Sequence, residues 1–268
     1  MTDDSTRFAG SIPEHYDRGL GPVMFAGIGD LVAERVASFA PSRILETAAG
    51  TGIVTRRLRD RLPGSTALVA TDLSPAMLDY ARMKFAPDEN VAFQVEDATR
   101  LTFANGAFDA MVCQFGIMFF PDKDAGYREA FRVLAPKGRY VFSVWDAIEF
   151  HPHGRIMSDI LSETFKIDPP PFLRVGFGSG AIDPIKTSLL AAGFEAIRID
   201  VVPMAAPIAD CRGFARGMVK GNPLADQISA RGVDPETLVD LIAENIEREF
   251  GENGTAPLQA IIYEARRD

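Results

Sequence analysis

The sequence predicts an α/β protein in which helices cover both faces of a mostly parallel sheet. Short apolar runs alternate with segments whose apolar residues recur at helical intervals. Parallel neighbouring strands need a crossover helix between them, and this alternation supplies one after each of the early strands. The chain has 268 residues, 47% hydrophobic and 24% charged, which suffices for one large domain.

The first 95 residues are expected to supply three strands. Residues 1–22, which are polar and interrupted by Pro13 and Gly19, are expected to form an N-terminal arm or lid. Helical spacing predicts a helix over Val23–Phe39, ended by Pro41. Strands are expected at 43–46, 67–72 and 91–95, with helices over 53–62 and over about twelve residues after Ser74-Pro75.

After residue 95 the alternation of strands and helices continues as far as residue 145, and the pattern then becomes irregular. Strands are expected at 108–113 and 139–145, with a helix over 123–134 between them. The segments 146–180 and 206–253 are expected to be insertions that cap one edge of the sheet, the first with a helix near 156–165. A helix over 184–192 and strands at 194–202 and 258–266 complete the fold. The whole of 1–268 is expected to be a single domain with its core in 40–145.

Composition excludes several classes of function. The formal net charge of -9 opposes nucleic-acid binding, and the run Arg56, Arg57, Arg59 and Arg61 is interpreted as a solvated helix face. The two cysteines lie far apart, so no metal site or disulfide framework is expected. The N-terminus is polar and acidic and no apolar run is long enough for a membrane span. A cytoplasmic protein with no membrane association is therefore expected.

The most informative segment is the turn after the first strand. Glycine-rich backbone between a strand and a helix offers free N–H groups to a ligand, and here the turn carries Gly50 and Gly52. Thr55 stands where a dinucleotide-binding turn has its third glycine. Glu46, just before the turn, would repel a phosphate but could pair with an ammonium group. The turn therefore favours a cationic ligand over a pyrophosphate.

Two further acidic positions end the second and third strands. Asp72 could accept hydrogen bonds from both hydroxyls of a ribose, and the Glu96-Asp97-Ala98 segment could meet the edge of an adenine. Ligands bind at the carboxyl ends of strands in open α/β sheets. Three acidic positions with no basic partner suit a ligand with a ribose, an adenine and a cationic tail, which describes S-adenosylmethionine.

Five motifs in order resemble those of class I S-adenosylmethionine-dependent methyltransferases of the quinone-biosynthesis and small-molecule type. The acidic glycine-rich motif is similar to residues 46–52, with Ala48 in place of its first glycine. The other four are similar to residues 72–78, 96–98, 108–116 and 132–139, with Lys137 replacing a glycine in the last. The resemblance covers 40–145 by motif and the rest by topology. It implies a seven-stranded mixed sheet of order 3-2-1-4-5-7-6 with strand 7 antiparallel.

The resemblance also implies which residues bind the cofactor and what the reaction is. The implied cofactor-binding residues are Tyr16, Glu46, Ala48, Gly50, Gly52, Asp72, Leu73, Met77, Asp97, Ala98, Gln114 and Phe115. The implied reaction is in-line methyl transfer to an oxygen, carbon or nitrogen of a small, partly apolar acceptor, with S-adenosylhomocysteine as product. The sequence leaves the acceptor open, and the protein could be a monomer or a homodimer.

The acceptor side carries weaker signals. His151 and His153 follow the fifth strand and are candidates for a general base, although an ordinary loop-bonded role is the alternative. As a metal pair they lack a third ligand nearby. Phe119, Trp145 and Phe150 are expected to line the acceptor pocket. Two other functions remain open: a nicotinamide-dependent oxidoreductase, and a non-catalytic protein that binds an S-adenosyl ligand.

Overall fold

A seven-stranded sheet forms the centre of the protein in the computed structural model, which describes residues 10–168, 170, 177 and 180–268. Its strand order is β3-β2-β1-β4-β5-β7-β6, with β7 antiparallel to both of its neighbours. The predicted topology is therefore confirmed. The strands are β1 (Arg43–Glu46), β2 (Ala67–Asp72), β3 (Val91–Val95), β4 (Phe108–Gln114), β5 (Leu134–Trp145), β6 (Ala196–Pro207) and β7 (Thr255–Arg266).

Helices cover both faces of this sheet. They are α1 (Ile12–His15), α2 (Ala26–Ala37), α3 (Ile53–Arg61), α4 (Pro75–Arg82), α5 (Lys123–Val133), α6 (Pro152–Thr164), α7 (Ile182–Ala192), α8 (Cys211–Lys220), α9 (Leu224–Ala230) and α10 (Pro235–Phe250). Tyr16–Phe25, between α1 and α2, is a π-helical stretch. None of the described helices has both the length and the apolarity to cross a bilayer.

Burial on both faces of the sheet explains why the central strands are apolar. Ile44 and Leu45 of β1 are 0% exposed, because β1 pairs in parallel with β2 on one side and β4 on the other. The outer strand β3 has no fully buried residue, and half-buried and exposed residues alternate over its first four positions. The strands β6 and β7 pair along their whole length as an antiparallel ribbon. Because β1 to β4 run parallel to one another, their carboxyl ends meet at the same edge of the sheet.

Several predicted boundaries were wrong. The strand expected at 194–202 is Ala196–Pro207, which takes in the first two residues of the predicted cap segment 206–253, and the strand expected at 258–266 begins at Thr255. The helix after Ser74-Pro75 ends at Arg82 after eight residues, not about twelve. The strand expected at 139–145 begins at Leu134, because the Pro136-Lys137-Gly138 turn is taken into β5 as a bulge with Lys137 at φ 66°. The part of the arm that the structure describes is helical from Ile12 onward.

The arginine run after the glycine turn is also not a simple solvated face. Arg59 is only 6% exposed and donates to main-chain oxygens at Thr66 and Leu62. Arg56 pairs with Glu89 at 2.6 Å and Arg61 with Asp30 at 2.7 Å. These cations bind the protein's own acceptors, which removes most of the basic patch.

The helical segment Ile12–Phe25, called the lid helix here, packs tightly on α8. Pro22 lies inside it and lacks an N–H group, which interrupts regular α-helical bonding and accompanies the π-helical spacing. A Cβ atom added at Gly217 would lie 2.8 Å from the Cα of Gly19, and one added at Gly221 would lie 2.9 Å from the Cα of Tyr16. Glycines thus allow the two helices to approach each other at main-chain contact.

Replacing Gly217 with alanine is expected to destabilise the protein. The added methyl group would meet main-chain atoms of Gly19, which cannot rotate away as a side chain can. We expect the free energy of unfolding in denaturant to fall by about 1–3 kcal/mol, the usual cost of overpacking. Gly64→Ala is the matched control, since an added Cβ there meets nothing within 4 Å. Equal unfolding free energies for both variants would contradict the close packing.

Candidate functional site

The candidate site lies at the carboxyl edge of the sheet, where β1, β2 and β4 end side by side. Glu46 aligns with Ala70 of β2 and with Val112 of β4, and Asp72 is the last residue of β2. The chain crosses to opposite sides of β1 at this point, because β2 lies on one side and β4 on the other. Open α/β sheets bind ligands at such a switch in strand order.

The turn from β1 into α3 has the backbone that close ligand approach requires. Gly50 and Gly52 have φ values of 56° and 78°, in the left-handed region that favours glycine. A Cβ added at Gly50 meets nothing within 4 Å, whereas one at Gly52 would lie 2.9 Å from the Cβ of Ala81. Gly50 is therefore needed for its conformation, and Gly52 also for helix packing.

Ala48 adopts the left-handed conformation without being glycine. Its φ is 52°, a conformation that costs a non-glycine residue about 1 kcal/mol or more. A Cβ added at Gly116 would lie 2.3 Å from the Cβ of Ala48, so the methyl group of Ala48 occupies space left open by Gly116. The departure from the family glycine is thus compensated by a glycine after β4.

Asp72 holds this turn in place. Its Oδ2 accepts from the main-chain N–H of Gly50 at 2.8 Å and its Oδ1 accepts from that of Ser74 at 2.8 Å. Burial raises the pKa of Asp72, while these main-chain donors oppose the rise. Each carboxylate oxygen has a second lone pair, so the side chain can still accept from two further donors such as ribose hydroxyls.

Glu46 and Gln114 each present a buried acceptor without a partner. Glu46 is 2% exposed and its Oε2 has no hydrogen-bond partner among the described residues; the same is true of Gln114 Oε1. Gln114 Nε2 donates to the main-chain oxygen of Phe25 at 3.1 Å, which directs the amide. Burial raises the pKa of Glu46 to about 8, and the charge of Asp72 adds to the rise. Both residues line the same cavity beside the glycine turn.

This pair of acceptors fits a cationic group. A carboxylate oxygen and an amide oxygen without donors are costly in a protein interior, and an ammonium group supplies three donors and the opposite charge. An ionised Glu46 would repel a phosphate at this place. The residues present therefore fit the ammonium of S-adenosylmethionine, with Asp72 placed for its ribose.

The lid helix closes this cavity. Tyr16 and Phe25 both line it, and their rings stack at 4.8 Å. The enclosed volume is about 30 Å³, enough for about two water molecules, whereas ligand pockets of cofactor size are typically about 300 Å³ or larger. A cofactor can enter only if the lid helix moves away from the turn.

Asp17 fastens the lid helix to the turn. Its Oδ1 accepts from Thr51 Oγ1 at 2.7 Å and also from the ammonium of Lys84. Sequence reasoning missed Asp17 and Lys84, because the contact joins segments 67 residues apart.

Tyr80 and Lys84 have the Tyr-x-x-x-Lys spacing of some nicotinamide-dependent enzymes. Here Lys84 is engaged with Asp17 and lies 5.7 Å from the centre of the Tyr80 ring.

Removing the contacts of Asp17 with Thr51 and Lys84, called the latch here, is expected to speed ligand entry. In Asp17→Ala the lid helix loses its hydrogen bond to Thr51 and its ion pair with Lys84. We therefore expect association of S-adenosylhomocysteine to accelerate about 5- to 30-fold, which corresponds to 1–2 kcal/mol of lid closure. Stopped-flow fluorescence of the single tryptophan would measure it. Glu14→Gln is the control, since Glu14 forms an ion pair with exposed Arg18 at 2.7 Å within the lid helix itself. Equal rates for the wild type and Asp17→Ala would refute the latch.

The residues expected around an adenine divide into buried and exposed ones. Met77 is 3% and Ala98 9% exposed, whereas Leu73 is 63% exposed. Asp97 is exposed, and its Oδ1 accepts from the N–H and the hydroxyl of Thr99 at 2.8 and 2.7 Å. These residues follow β2 and β3 at the same sheet edge as Asp72, as the sequence predicted.

The predicted acceptor-side residues Phe119, Trp145 and Phe150 are only partly brought together, and Phe115, which was predicted to bind the cofactor, lies against Trp145. Phe115, at φ 55°, stacks on Trp145 with ring centres 3.7 Å apart, and Phe25 lies within 5.9 Å of Phe115. Phe25 was expected only as an apolar position of a helix, so its place in this wall was missed. Phe119 is half-buried, in a short helical turn after β4. Phe150 is 46% exposed and lies at the surface.

His151 and His153 lie beyond Trp145 and are fully buried. They are 0% and 1% exposed, and none of their four ring nitrogens has a hydrogen-bond partner among the described residues. Burial lowers the pKa of His151 to about 4 and that of His153 to about 3, so both are neutral at neutral pH. Such weak bases suit hydrogen bonding better than proton abstraction. No cluster of three or more metal-binding side chains occurs in the described part of the chain.

Comparison with known proteins finds similarity to one family over the turn and its strands. A family model described as a methyltransferase domain matches residues 44–138. A demethylmenaquinone methyltransferase of Thermus thermophilus is 42% identical over 124 residues, which are 46% of this chain and 52% of that protein. A malonyl-[acyl-carrier protein] O-methyltransferase of Geobacter sulfurreducens is 26% identical over 251 residues, 89% of this chain and 91% of that protein. The quinone-related match thus spans about half the length of that relative.

A solved structure has the same fold. Phosphoethanolamine N-methyltransferase 2 of Haemonchus contortus, in complex with S-adenosylmethionine, superposes with a TM-score of 0.59 at 16% identity, over 95% of this chain and 56% of that chain. The matched family segment runs from β1 through the bulge of β5 and contains the glycine turn, Asp72 and Gln114. Residues 44–138 are thus similar to the methyltransferase domain family.

Proposed function

We propose that this protein binds S-adenosylmethionine at the carboxyl edge of β1, β2 and β4 and methylates a small, partly apolar acceptor. The observation that carries the proposal is the pair of buried, unpartnered oxygens of Glu46 and Gln114 beside the glycine turn. A pyrophosphate cofactor would meet the Glu46 carboxylate at this place, which disfavours the nicotinamide-dependent alternative.

Each residue of the site has a defined role in this proposal. Glu46 and Gln114 bind the ammonium, Asp72 binds the ribose hydroxyls and orients the turn, and Met77 and Ala98 contact the adenine. When bound, S-adenosylmethionine supplies a methyl group on a sulfonium, which is already activated for displacement. The protein then needs mainly to position the acceptor and exclude water, and positioning alone supplies a large part of such a rate enhancement. The lid helix provides the water exclusion.

The acceptor is placed on the Phe115–Trp145 side. The wall there is aromatic, which fits an acceptor with an apolar ring or chain. The Thermus thermophilus relative is named for demethylmenaquinone and the Geobacter sulfurreducens relative for malonyl-[acyl-carrier protein]. A ring-shaped acceptor fits an aromatic wall of this kind, because flat aromatic rings pack favourably against one another.

A turnover assay with methyl-labelled S-adenosylmethionine tests the proposal. Phenols, reduced quinones, amines and thioesters would be offered separately, and label should enter at least one phenol or reduced quinone. The Glu46→Ala protein is the control and should transfer no measurable label at the same cofactor concentration. Tight cofactor binding with no transfer to any acceptor would instead favour a non-catalytic S-adenosyl-binding protein.

A further inference from the structure

A buried pair of histidines lies outside the cofactor cavity and has no role in the site described above. His151 precedes α6 and His153 belongs to its first turn, with ring centres 5.7 Å apart. Their ring nitrogens are buried and none makes a hydrogen bond of good geometry among the described residues, although main-chain groups of Gln259 and Asp146 lie close enough to His151 to raise its pKa. Buried polar atoms are normally paired, because each unpaired one destabilises the fold. Two neighbouring side chains with this property indicate a place for a polar ligand group.

The surroundings of the pair are aromatic. Trp145 lies 5.3 Å from the His151 ring, Phe177 lies 4.7 Å from it, and Phe214 lies 5.6 Å from the His153 ring. The other side of Trp145 faces the wall of the cofactor cavity, where it stacks on Phe115. The histidines are therefore the polar end of an aromatic region that starts at the cofactor cavity.

The donor and acceptor pattern of the pair selects the ligand group. A neutral imidazole has one N–H donor and one acceptor nitrogen, so the pair offers both kinds. A hydroxyl group also donates and accepts, whereas a carboxylate only accepts and an ammonium only donates. Asp146 is the charged group that acts on His151, and it repels a carboxylate. It already accepts from Ala147 N at 2.7 Å and from Gln259 Nε2 at 2.8 Å, and an ammonium would leave the N–H donors of both imidazoles without an acceptor.

We propose that His151 and His153 bind a hydroxyl group of an aromatic acceptor, whose ring packs among Trp145, Phe177 and Phe214. The inference rests on the proposed methyl transfer and narrows its acceptor to hydroxylated aromatic rings. The pair binds and orients the acceptor and does not take its proton. The ring contacts supply affinity, and the hydroxyl contacts fix which way round the ring lies.

Ligand binding to the wild-type protein gives the first test. Trp145 is the single tryptophan, so its fluorescence reports directly on this region. Titrations with p-cresol, p-xylene and p-toluate, with S-adenosylhomocysteine present, compare a hydroxyl, a methyl and a carboxylate on the same ring. We expect p-cresol to bind about tenfold more tightly than p-xylene, as for one well-made hydrogen bond, and more tightly than p-toluate. Equal binding of p-cresol and p-xylene, or tighter binding of p-toluate, would overturn the proposal.

Variants locate the preference at the histidines. In His151→Phe and His153→Phe the aromatic packing remains but the nitrogens are gone, so p-cresol and p-xylene should bind equally. The melting temperature of both variants should not fall, because an unpaired buried polar group is removed. Tyr263→Phe is the matched control: Tyr263 is 0% exposed, its hydroxyl is also unpartnered, and its ring stacks on Phe142 in another part of the core. It should keep the preference for p-cresol, and persistence of that preference in both histidine variants would overturn the proposal.

Failure of this inference can be told from failure of the proposed function. His151→Gln retains a donor and an acceptor and should restore part of the p-cresol preference. All of these variants should bind S-adenosylhomocysteine as the wild type does, since the histidines do not line the cofactor cavity. If the wild type does not bind S-adenosylhomocysteine, the proposed function fails. If it binds the cofactor and methylates an acceptor while the histidine variants keep the p-cresol preference, only the histidine role fails.

Discussion

Asp72→Ala is expected to weaken S-adenosylhomocysteine binding by about 1.5–3 kcal/mol, or about 10- to 150-fold, the range for hydrogen bonds to a charged group. The substitution removes the acceptor proposed for the ribose hydroxyls. It also removes the bonds from Gly50 and Ser74, so part of any loss would come from a looser turn. Calorimetry on purified wild-type and variant protein would measure the change.

A double-mutant cycle separates these two contributions. The partner of the substitution is an analogue of S-adenosylhomocysteine that lacks both ribose hydroxyls. If Asp72 binds the ribose, the wild type should bind the analogue more weakly than S-adenosylhomocysteine, whereas Asp72→Ala should bind the two ligands with nearly equal affinity. If Asp72 only supports the turn, the two losses add, and the ribose role is refuted.

Glu46→Gln is expected to change both the pH dependence of cofactor affinity and that of stability. In the cofactor-free protein the pKa of Glu46 is about 8, so the group is mostly protonated at pH 6. Binding of an ammonium requires the ionised form, so wild-type affinity should rise by up to about tenfold per pH unit between about pH 6 and 8. Glu46→Gln should bind weakly and show no such rise.

The stability of the cofactor-free protein should change in the opposite direction. A folded-state pKa raised from 4.5 means that ionisation of Glu46 opposes folding. The free energy of unfolding of the wild type should therefore fall as pH rises from about 5 to 8, by an amount on the order of 3–5 kcal/mol at most. Glu46→Gln cannot ionise, so it should lack this part of the decline and be the more stable protein at pH 8.

Methylthioadenosine is the control ligand for the pH series. It keeps the adenine, the ribose and a sulfur but lacks the ammonium and carboxylate of the full cofactor. Its affinity for the wild type should be nearly constant over the window in which S-adenosylhomocysteine affinity rises. Parallel pH curves for the two ligands would show that Glu46 does not meet the ammonium.

The proposed cofactor-binding residues could be predicted from the sequence because they lie close together along the chain. Glu46, Gly50 and Gly52 lie within seven residues, and Asp72 ends the next strand, so strand periodicity and the parallel-sheet rule bring them together. The strand order followed from the family resemblance, not from spacing. The left-handed φ of Ala48 and its compensation by Gly116 depend on a contact between distant segments, which no local pattern contains.

The lid and the acceptor side were predictable only in outline. Pro13 and Gly19 indicated an irregular arm, but packing of Gly19 against Gly217 makes the described part of it helical. Phe150 was expected in a pocket and lies exposed, because a short turn at Ile148–Phe150 directs it outward while the adjacent His151 is buried. Such choices depend on tertiary packing over long sequence separations.

The most direct test of the central claim is a calorimetric titration of the protein with S-adenosylmethionine, S-adenosylhomocysteine and NADH under identical conditions. We expect saturable binding of the two S-adenosyl compounds and none of NADH, because Glu46 and Gln114 accept an ammonium and oppose a pyrophosphate. Binding of NADH without binding of either S-adenosyl compound would contradict the assignment of this site.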